Sequence, residues 1–460
     1  MSETYDVLVI GSGTAGQTAA YALHAHKRRV GLVESSERPG GTCALSGCQA
    51  KKWFYEAAET VARSRHLHGI GITDPAAACW ADLRDAKNRF TAQVPSDTVG
   101  GFRQAGIDFI PGRARFVDRR TIAVGGRRIS ARFFVLATGA VPMSLPFDGA
   151  HRMINSDEFM ELDDLPGRIV FIGGGFISFE FAHFAARLGP DNSSLTILEA
   201  APRPLGPFDA EMVDLLTTAT TEAGIQIHTD VAVAGLVETD DGLRVMLKDG
   251  RRFEADIVVN GAGRAPDIDD LELNKADVEA SRRGIRVDAQ MTTTNPAIYA
   301  VGDCAAAVQL ARVADQEASV AAANIQSALA QQEPEAVMDY RAVPALLFTC
   351  PQYGMVGWTE QALKEKGRTY RKSAAKKLRW PTYRRVGLKS AAYKVLVDEK
   401  GYFLGAHVLS DNAGGLINTF HLAMVNRIPI EQLHHQSIMS PYPTRESDII
   451  YMLKPLLGEG

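Results

Sequence analysis

Asp6-Val-Leu-Val-Ile10 runs directly into Gly11-Ser-Gly13-Thr-Ala-Gly16, then an alanine-rich helical stretch, then Arg29-Val-Gly-Leu-Val33 closed by Glu34. The order is strand, glycine turn, helix, strand, acid. Each glycine has a separate reason: Gly11 permits the tight turn, Gly13 lets the backbone approach a pyrophosphate, and Gly16 lets helix and strand pack closely. The helix N-terminus then faces the phosphates, and Glu34 stands where a carboxylate accepts hydrogen bonds from a ribose diol. A second copy begins at Arg168: the strand Ile169–Ile172 leads into Gly173-Gly-Gly175-Phe-Ile-Ser178, a helix to Leu188, and a strand Leu195–Leu198 ended by Glu199. A lone G-x-G-x-x-G is a weak signal, but both copies sit in the context the motif requires. Two dinucleotides are implied.

Around these copies the apolar strand Phe133–Leu136 ends in Ala137-Thr138-Gly139, and Ile257-Val-Val-Asn260 repeats the pattern into Gly261-Ala-Gly263-Arg264. Each marks a candidate crossing between domains. Beyond Arg341 the glycine motifs stop. Candidate strands Ala345–Phe348, Tyr393–Val397 and Phe403–Leu409, followed by helical periodicity over Gly415–Asn426, suggest a separate α+β domain, with Gln326–Pro334 as the linker before it.

A chain of 460 residues is too long for one core and calls for two or three domains. Its 46% hydrophobic and 23% charged residues are ordinary for a globular protein. The net charge of -4 supplies no field for a phosphate backbone, and the dense positive stretch Arg371–Arg385 is interleaved with apolar residues, as in a solvated face. No apolar run approaches the ~20 residues that span a bilayer, and Met1–Tyr5 is too short and too acidic for a signal peptide. The expectation is a cytoplasmic protein with neither nucleic acid nor membrane among its partners. Five cysteines, an odd number in so long a chain, do not make a secreted disulfide framework.

The chemistry concentrates in Gly40-Gly41-Thr42-Cys43-Ala-Leu-Ser-Gly47-Cys48-Gln-Ala-Lys51-Lys52, just after the first unit's acid. So close a cysteine pair also suits half of a zinc site. A structural zinc site normally takes four Cys or His ligands, and the sequence offers no evident companion pair. A redox disulfide is favoured, and no metal is expected.

With these motifs in place, the sequence resembles the pyridine nucleotide–disulfide oxidoreductases, the flavoprotein family of glutathione reductase, dihydrolipoamide dehydrogenase and mercuric reductase, over nearly its whole length. The family signature G-G-T-C-x-x-x-G-C-x-P-x-K is matched from Gly40 to Lys52, except that Ala50 replaces the proline. The resemblance implies two Rossmann-like α/β dinucleotide-binding domains and a C-terminal α+β dimerisation domain. Its bounds are a discontinuous FAD domain over residues 1–148 and 264–335, an NAD(P) domain over 149–263, and the dimerisation domain over 336–460. It places FAD on Gly11, Gly13, Gly16, Glu34, Gly41, Thr42, Thr138, Gly139, Gly302 and Asp303, with the Asp303 carboxylate on the ribityl chain. The pyridine nucleotide falls on Gly173, Gly175, Ser178, Glu199 and Gly263. Glu199 favours NAD(H) over NADP(H), because an acid there accepts from a 2′-hydroxyl and repels a 2′-phosphate; Arg203 nearby is a candidate phosphate ligand that argues the other way.

The resemblance further makes Cys48 the flavin-side sulfur, Cys43 the sulfur that attacks substrate, and Lys52–Glu180 an ion pair beside the flavin. Cys79, Cys304 and Cys350 are expected to be buried, unreactive thiols. No cysteine follows Cys350, so the C-terminal pairs with which mercuric reductase and large thioredoxin reductases relay electrons are lacking, which weighs against both identities.

The pattern breaks near the C-terminus. The family's H-P-T-x-S-E, whose histidine comes from the partner subunit and is oriented by the glutamate, is here Tyr442-Pro443-Thr444-Arg445-Glu446-Ser447. With a reference pKa of ~10 against ~6.5, a tyrosine is a poor base at neutral pH but a competent hydrogen-bond donor. Three readings follow. One is a homodimeric enzyme exchanging electrons between NAD(P)H and a small disulfide or dithiol, or a lipoyl-bearing carrier protein. The second is an NADH-dependent diaphorase, quinone reductase or metal-ion reductase. The third is a slow redox-sensing flavoprotein.

Overall fold

A computed structural model of the chain describes residues 3–457, so the first two residues of the Met1–Tyr5 stretch lie outside it. The chain divides into two compact units, one of Met1–Trp53, Arg84–Met143 and Arg264–Asp339, the other of Phe54–Leu83, Ser144–Gly263 and Tyr340–Gly460.

In the first unit Glu3–Ile10 lies parallel between Val30–Glu34 and Arg127–Leu136, and Asp108–Pro111 and Ile298–Ala300 extend the parallel set. Thr121–Val124 and Ala114–Asp118 add an antiparallel margin. Successive side chains of a strand point to opposite faces. Leu8 and Ile10 therefore meet Phe116, Ile122 and Phe134 on one face, whereas Val7 and Val9 meet Ala19, Leu23 and Ile325 on the other. Burial on both faces is why Val7–Ile10 reads as an unbroken apolar run. The helices Thr14–Ala25 and Ala311–Leu329 cover the second face largely with small residues: Ala15, Ala19 and Ala20 from one, Ala314, Ala318 and Ala321 from the other. That second helix absorbs the first four residues of the expected linker Gln326–Pro334, and Gln326 accepts a hydrogen bond from Arg28 Nε at 2.9 Å. The other five, residues 330–334, open an irregular stretch that runs to the strand beginning at Pro344, so the expected linker starts four residues late.

In the second unit the parallel sheet Ile225–His228, Ser194–Leu198, Arg168–Ile172, Ile257–Asn260 carries the second glycine turn, with a three-stranded antiparallel sheet from Val233 to Ala255. A five-stranded antiparallel sheet follows, ordered Pro344–Leu347, Gln352–Gly357, Phe403–Ser410, Ala392–Val397, Arg371–Ala375. The helix Ala413–Val425 packs Leu416, Ile417, Phe420 and Ala423 into its core. Lys394, on the central part of this sheet, has a side chain only 2% exposed, and its ammonium meets Asp209 Oδ1 at 2.8 Å, Glu211 Oε2 at 2.8 Å and Glu360 Oε2 at 2.9 Å. A buried cation without its carboxylates, or the reverse, costs about 3–5 kcal/mol. The basic stretch Arg371–Arg385 joins this network instead of forming only a solvated face: Lys372 reaches Glu360 at 3.1 Å and Lys376 reaches Glu211 at 2.8 Å. Among the described residues no helix is long and apolar enough to cross a membrane.

Candidate active site

The first glycine turn is closed by backbone contact. Gly11 has φ +108°, and a Cβ there would lie 2.2 Å from the Ala137 carbonyl oxygen; a Cβ on Gly16 would lie 1.9 Å from the Gly11 carbonyl oxygen. Only glycine fits. The helix Thr14–Ala25 starts from Gly13 with no side-chain cap, leaving its first N–H groups for an anion. Glu34 folds back onto the turn: Oε2 accepts from Ser12 N–H (2.8 Å) and Ser12 Oγ (2.6 Å), and Oε1 from Ser36 N–H (2.7 Å).

Ser12 also accepts, at Oγ, the Gly40 N–H at 2.9 Å. That bond docks the cysteine motif on the nucleotide turn. Gly40 and Gly41 have φ +128° and +75°, and a Cβ on Gly41 would sit 2.3 Å from Gly13 Cα. The chain then makes the short helix Gly41–Leu45 carrying Thr42 and Cys43, a turn holding Cys48, and the helix Ala50–His66, in whose first turn Lys52 is half-buried. Gln49 N–H donates to Cys43 O at 2.9 Å and closes the loop between the cysteines. Gly47 is required at its middle, because a Cβ would meet the Thr42 carbonyl oxygen at 2.8 Å. Cys43 and Cys48 are thiols that share a hydrogen bond, and that bond, followed by burial, holds the Cys43 thiol above its ordinary range.

Asp303, just after the strand Ile298–Ala300, is largely buried; burial pushes its carboxyl pKa up and Arg264 opposes the shift. Its carboxylate has no hydrogen-bond partner among the described residues, so a ligand bearing hydroxyl donors fits it. Arg264 donates to the Ala140 carbonyl and lies 3.5 Å from Thr42 Oγ1, while its buried Nε has no partner. Thr138 Oγ1 is likewise buried without a partner, and Gly139 O accepts from Asp267 N–H at 3.0 Å. Gly302 N–H is held by the buried Glu317 at 2.7 Å. These open donors and acceptors beside the glycine turn fit a flavin dinucleotide. Sequence reasoning missed Arg264 as a site residue, although a cation directly after Gly263 was visible. It also missed Asp315, which pushes the Cys43 thiol up, and Arg312, which draws it down; the two pair at 2.9 Å.

In the second unit Gly173 has φ +97°, and a Cβ there would meet Ala262 Cα at 2.5 Å. The helix Phe176–Leu188 begins at Gly175, again without a side-chain cap. Glu199 accepts from Gly174 N–H (2.5 Å) and Ala201 N–H (2.6 Å). Arg203 turns away from any phosphate: its guanidinium donates to the carbonyls of Leu205 (3.3 Å), Gly206 (2.7 Å) and Phe208 (3.1 Å). Ser178, at the third glycine position, is fully buried with an unpartnered hydroxyl, and Gly261 makes room for it: a Cβ there would lie 2.0 Å from Ser178 Oγ. Gly263, with φ +123°, ends the neighbouring turn. Glu180, 1% exposed, accepts the Phe348 N–H at 2.9 Å. Lys52 and Glu180 belong to different units. Tyr442 is 77% exposed, and Ser447 is buried and tied to Thr444, donating to its carbonyl at 2.7 Å.

A pyridine nucleotide-disulphide oxidoreductase model matches residues 5–318, and that family's dimerisation-domain model matches residues 343–449. The chain belongs to the pyridine nucleotide-disulphide oxidoreductases. A mercuric reductase of Staphylococcus aureus is 30% identical over 449 residues, 96% of this chain and 80% of that protein. A dihydrolipoyl dehydrogenase of Bacillus subtilis (strain 168) is 30% identical over 442 residues, 93% of this chain and 92% of that protein. The fold is also that of the HOCl-induced flavoprotein disulfide reductase RclA from Escherichia coli: TM-score 0.87 at 24% identity, covering 98% of this chain and 100% of the other. As a member of the family this oxidoreductase is an enzyme that uses FAD and NAD(P)H and exchanges electrons with a disulfide. The α/β architecture with a dimerisation domain agrees with the sequence expectation. One expectation is corrected: Cys304 and Cys350 are buried, but Cys79 is exposed, since it precedes the helix Trp80–Ala105 on a loop and not within it.

Proposed function

We propose that this oxidoreductase reduces a small disulfide, or oxidises the corresponding dithiol or a lipoyl group on a carrier protein, through Cys43 and Cys48, with NAD(H) as its preferred nucleotide. The observation that carries the reading is the hydrogen-bonded Cys43/Cys48 thiol pair docked through Gly40 and Gly41 on the first glycine turn. Gly11, Gly13, Gly16, Glu34, Gly41, Thr42, Thr138, Gly139, Gly302 and Asp303 hold FAD in this reading; Gly173, Gly175, Ser178, Glu199 and Gly263 hold NAD(H). Bound FAD supplies two-electron exchange between the pyridine nucleotide and the dithiol. The preference for NAD(H) is supported by Glu199 and by the engagement of Arg203 with its own loop.

Cys43 thiolate attacks one sulfur of the substrate and expels the other as thiolate; Cys48 thiolate then attacks Cys43 sulfur, releasing the second substrate thiolate and leaving the enzyme disulfide. Lys52 supplies positive charge that favours the Cys48 thiolate, and Tyr442 of a second copy donates a hydrogen bond at Cys43. The homodimer is supported by the matched dimerisation domain and by apolar side chains left exposed within it: Leu422 57%, Val425 58%, Ile438 58% and Met439 87%. The domains in this reading are residues 1–148 with 264–335, 149–263 and 336–460, and a reducing cytoplasm suits a dithiol enzyme.

Anaerobic titration tests it. Two electrons per FAD should produce a long-wavelength band from Cys48 thiolate against oxidised flavin. Cys48→Ser should lack it, and Cys43→Ser should show it without reduction. Direct bleaching to reduced flavin would uncouple the disulfide and end the proposal. A second reading, metal-ion reduction, is favoured by Ser447 bonding Thr444 and leaving Tyr442 without an orienting carboxylate. The mercuric reductase relatives and the Cu(II) complex of the RclA fold neighbour point the same way. Steady-state turnover with Hg(II) or Cu(II) but with no disulfide would select it.

A further inference from the structure

The segment that carries Tyr442 passes from exposed to buried within six residues, and its buried half is gripped by side chains. Arg445 makes two parallel bonds to Asp411, Nε to Oδ1 at 2.7 Å and a terminal nitrogen to Oδ2 at 2.8 Å, with the side chains only 10% and 9% exposed. The guanidinium lies 4.1 Å from the ring centroid of the fully buried Tyr383, and Arg63 reaches Asp411 Oδ2 at 3.3 Å. Glu446 accepts from Asn412 Nδ2 at 2.6 Å, and Asn412 N–H donates to Ser410 Oγ at 3.1 Å. Thr444 and Ser447 close a ring: Thr444 N–H to Ser447 Oγ at 3.1 Å, Ser447 N–H to Thr444 Oγ1 at 3.2 Å. Five consecutive residues are therefore tied, if Thr382 on Asp448 is included, and Tyr442 projects from them, 77% exposed.

In the motif this segment resembles, a carboxylate in the last position orients the residue in the first. Here the carboxylate has moved one residue forward, to Glu446, and bonds Asn412; serine occupies its place and bonds Thr444. No hydrogen bond among the described residues joins that ring to Tyr442. The tied residues nearest to Tyr442 are two and three positions on, and the strongest anchor there is the bidentate ion pair, since a planar guanidinium on a carboxylate constrains direction as well as distance. A solvent-facing tyrosine with no further task would not require a buried ion pair behind it, whose desolvation is costly.

We infer that Asp411, acting through Arg445, is the positioning residue for Tyr442, an anchor on the backbone that stands in for the orienting carboxylate this chain lacks. The inference rests on the reading that Tyr442 serves the dithiol of a second copy. Asp411 and Arg445 touch neither substrate nor cofactor; their effect is confined to the half-reaction that uses Tyr442.

The test is a half-reaction comparison on the FAD-loaded enzyme by anaerobic stopped flow, with NADH as reductant and dithiobis-nitrobenzoate as the disulfide. Asp411→Asn should slow oxidation of the dithiol by about tenfold to a hundredfold, as a displaced reacting group does, and leave reduction by NADH within about twofold. Tyr442→Phe should do the same, and the double variant should be no slower than Tyr442→Phe alone, because residues acting through one another are not additive. Arg445→Lys, which keeps the charge and loses the parallel pair, should show the same selectivity and decides the matter if Asp411→Asn does not fold. Additive slowing, equal slowing of both half-reactions, or a normal Asp411→Asn beside a slow Tyr442→Phe would overturn the inference. A Tyr442→Phe unchanged in both half-reactions would remove the reading beneath it, and the inference with it.

Discussion

The two glycine turns share a topology and differ in what ties them down. In the first, the middle residue is Ser12, whose hydroxyl bonds both Glu34 and the Gly40 N–H, so the turn, its acid and the cysteine motif form one hydrogen-bonded body. In the second, the middle residue is Gly174, which has no side chain to bond a second loop: its N–H donates to Glu199 and its carbonyl accepts from Leu205 N–H at 2.9 Å. The packing beneath them is exchanged as well. Strand ends pair Ile10 with Leu136 and Ile172 with Asn260, so Ala137 corresponds to Gly261. Gly16 lies under Ala137, whereas Ser178 lies under Gly261. One methyl's worth of space has moved from strand to helix. A turn laced to the redox motif suits a dinucleotide that stays, and a turn held through its backbone bonds alone suits one that exchanges with every cycle.

The largest effect should separate the two sites outright. Gly11→Ala drives a methyl into the Ala137 carbonyl at a φ of +108°, and purified protein should contain no flavin by its absorbance ratio. Gly173→Ala should keep its flavin and lose reduction by NADH by about a hundredfold or more, since a strained turn misplaces the phosphate amides. Loss of flavin in both variants would break the comparison.

Ser12→Ala should weaken FAD retention next. Hydrogen bonds to charged groups contribute about 1.5–3 kcal/mol, so flavin release, followed by fluorescence on dilution, should quicken about tenfold or more, with no counterpart in Gly174→Ser for the nicotinamide site. Gly261→Ala overpacks Ser178 and should destabilise the second unit by about 1–3 kcal/mol in urea unfolding, and Ser178→Gly in the same chain should restore it. Failure of the double exchange to restore stability would refute the swap of space. Glu199→Arg should raise kcat/KM with NADPH by about tenfold relative to NADH, an effect of charge at one half-buried group. The smallest change belongs to Ser178→Ala, which removes a buried hydroxyl with no partner and should leave stability unchanged or raised by about 1 kcal/mol; destabilisation would mean that the hydroxyl is satisfied.

Much of this was legible in the chain because it is local. The glycines, the strands before them and the acids after them lie within about thirty residues, where spacing and physical requirement coincide. The strand Phe403–Ser410 and the helix Ala413–Val425 also fell within a few residues of their expected limits. What escaped depends on contacts between residues far apart. Arg264 meets Thr42 across 222 positions, and Arg445 meets Asp411 from a different element altogether. Arg203 looked like a free phosphate ligand until its own loop turned out to surround it with carbonyls. Ser178 stands at the third glycine position of its turn, and only the register that sets Gly261 above it shows how its side chain is accommodated.

The Lys394 knot has a bearing on descent. Asp209 and Glu211 come from the second nucleotide module, while Glu360 and Lys394 come from the carboxyl-terminal part of the chain. One ammonium thus writes a shared clause into two stretches that, judged by their folds, look free to be shuffled separately. A recombinant that takes residues 149–263 from a relative lacking those acids inherits a stranded lysine, and its descendants must regain the carboxylates or replace the lysine before the graft can persist.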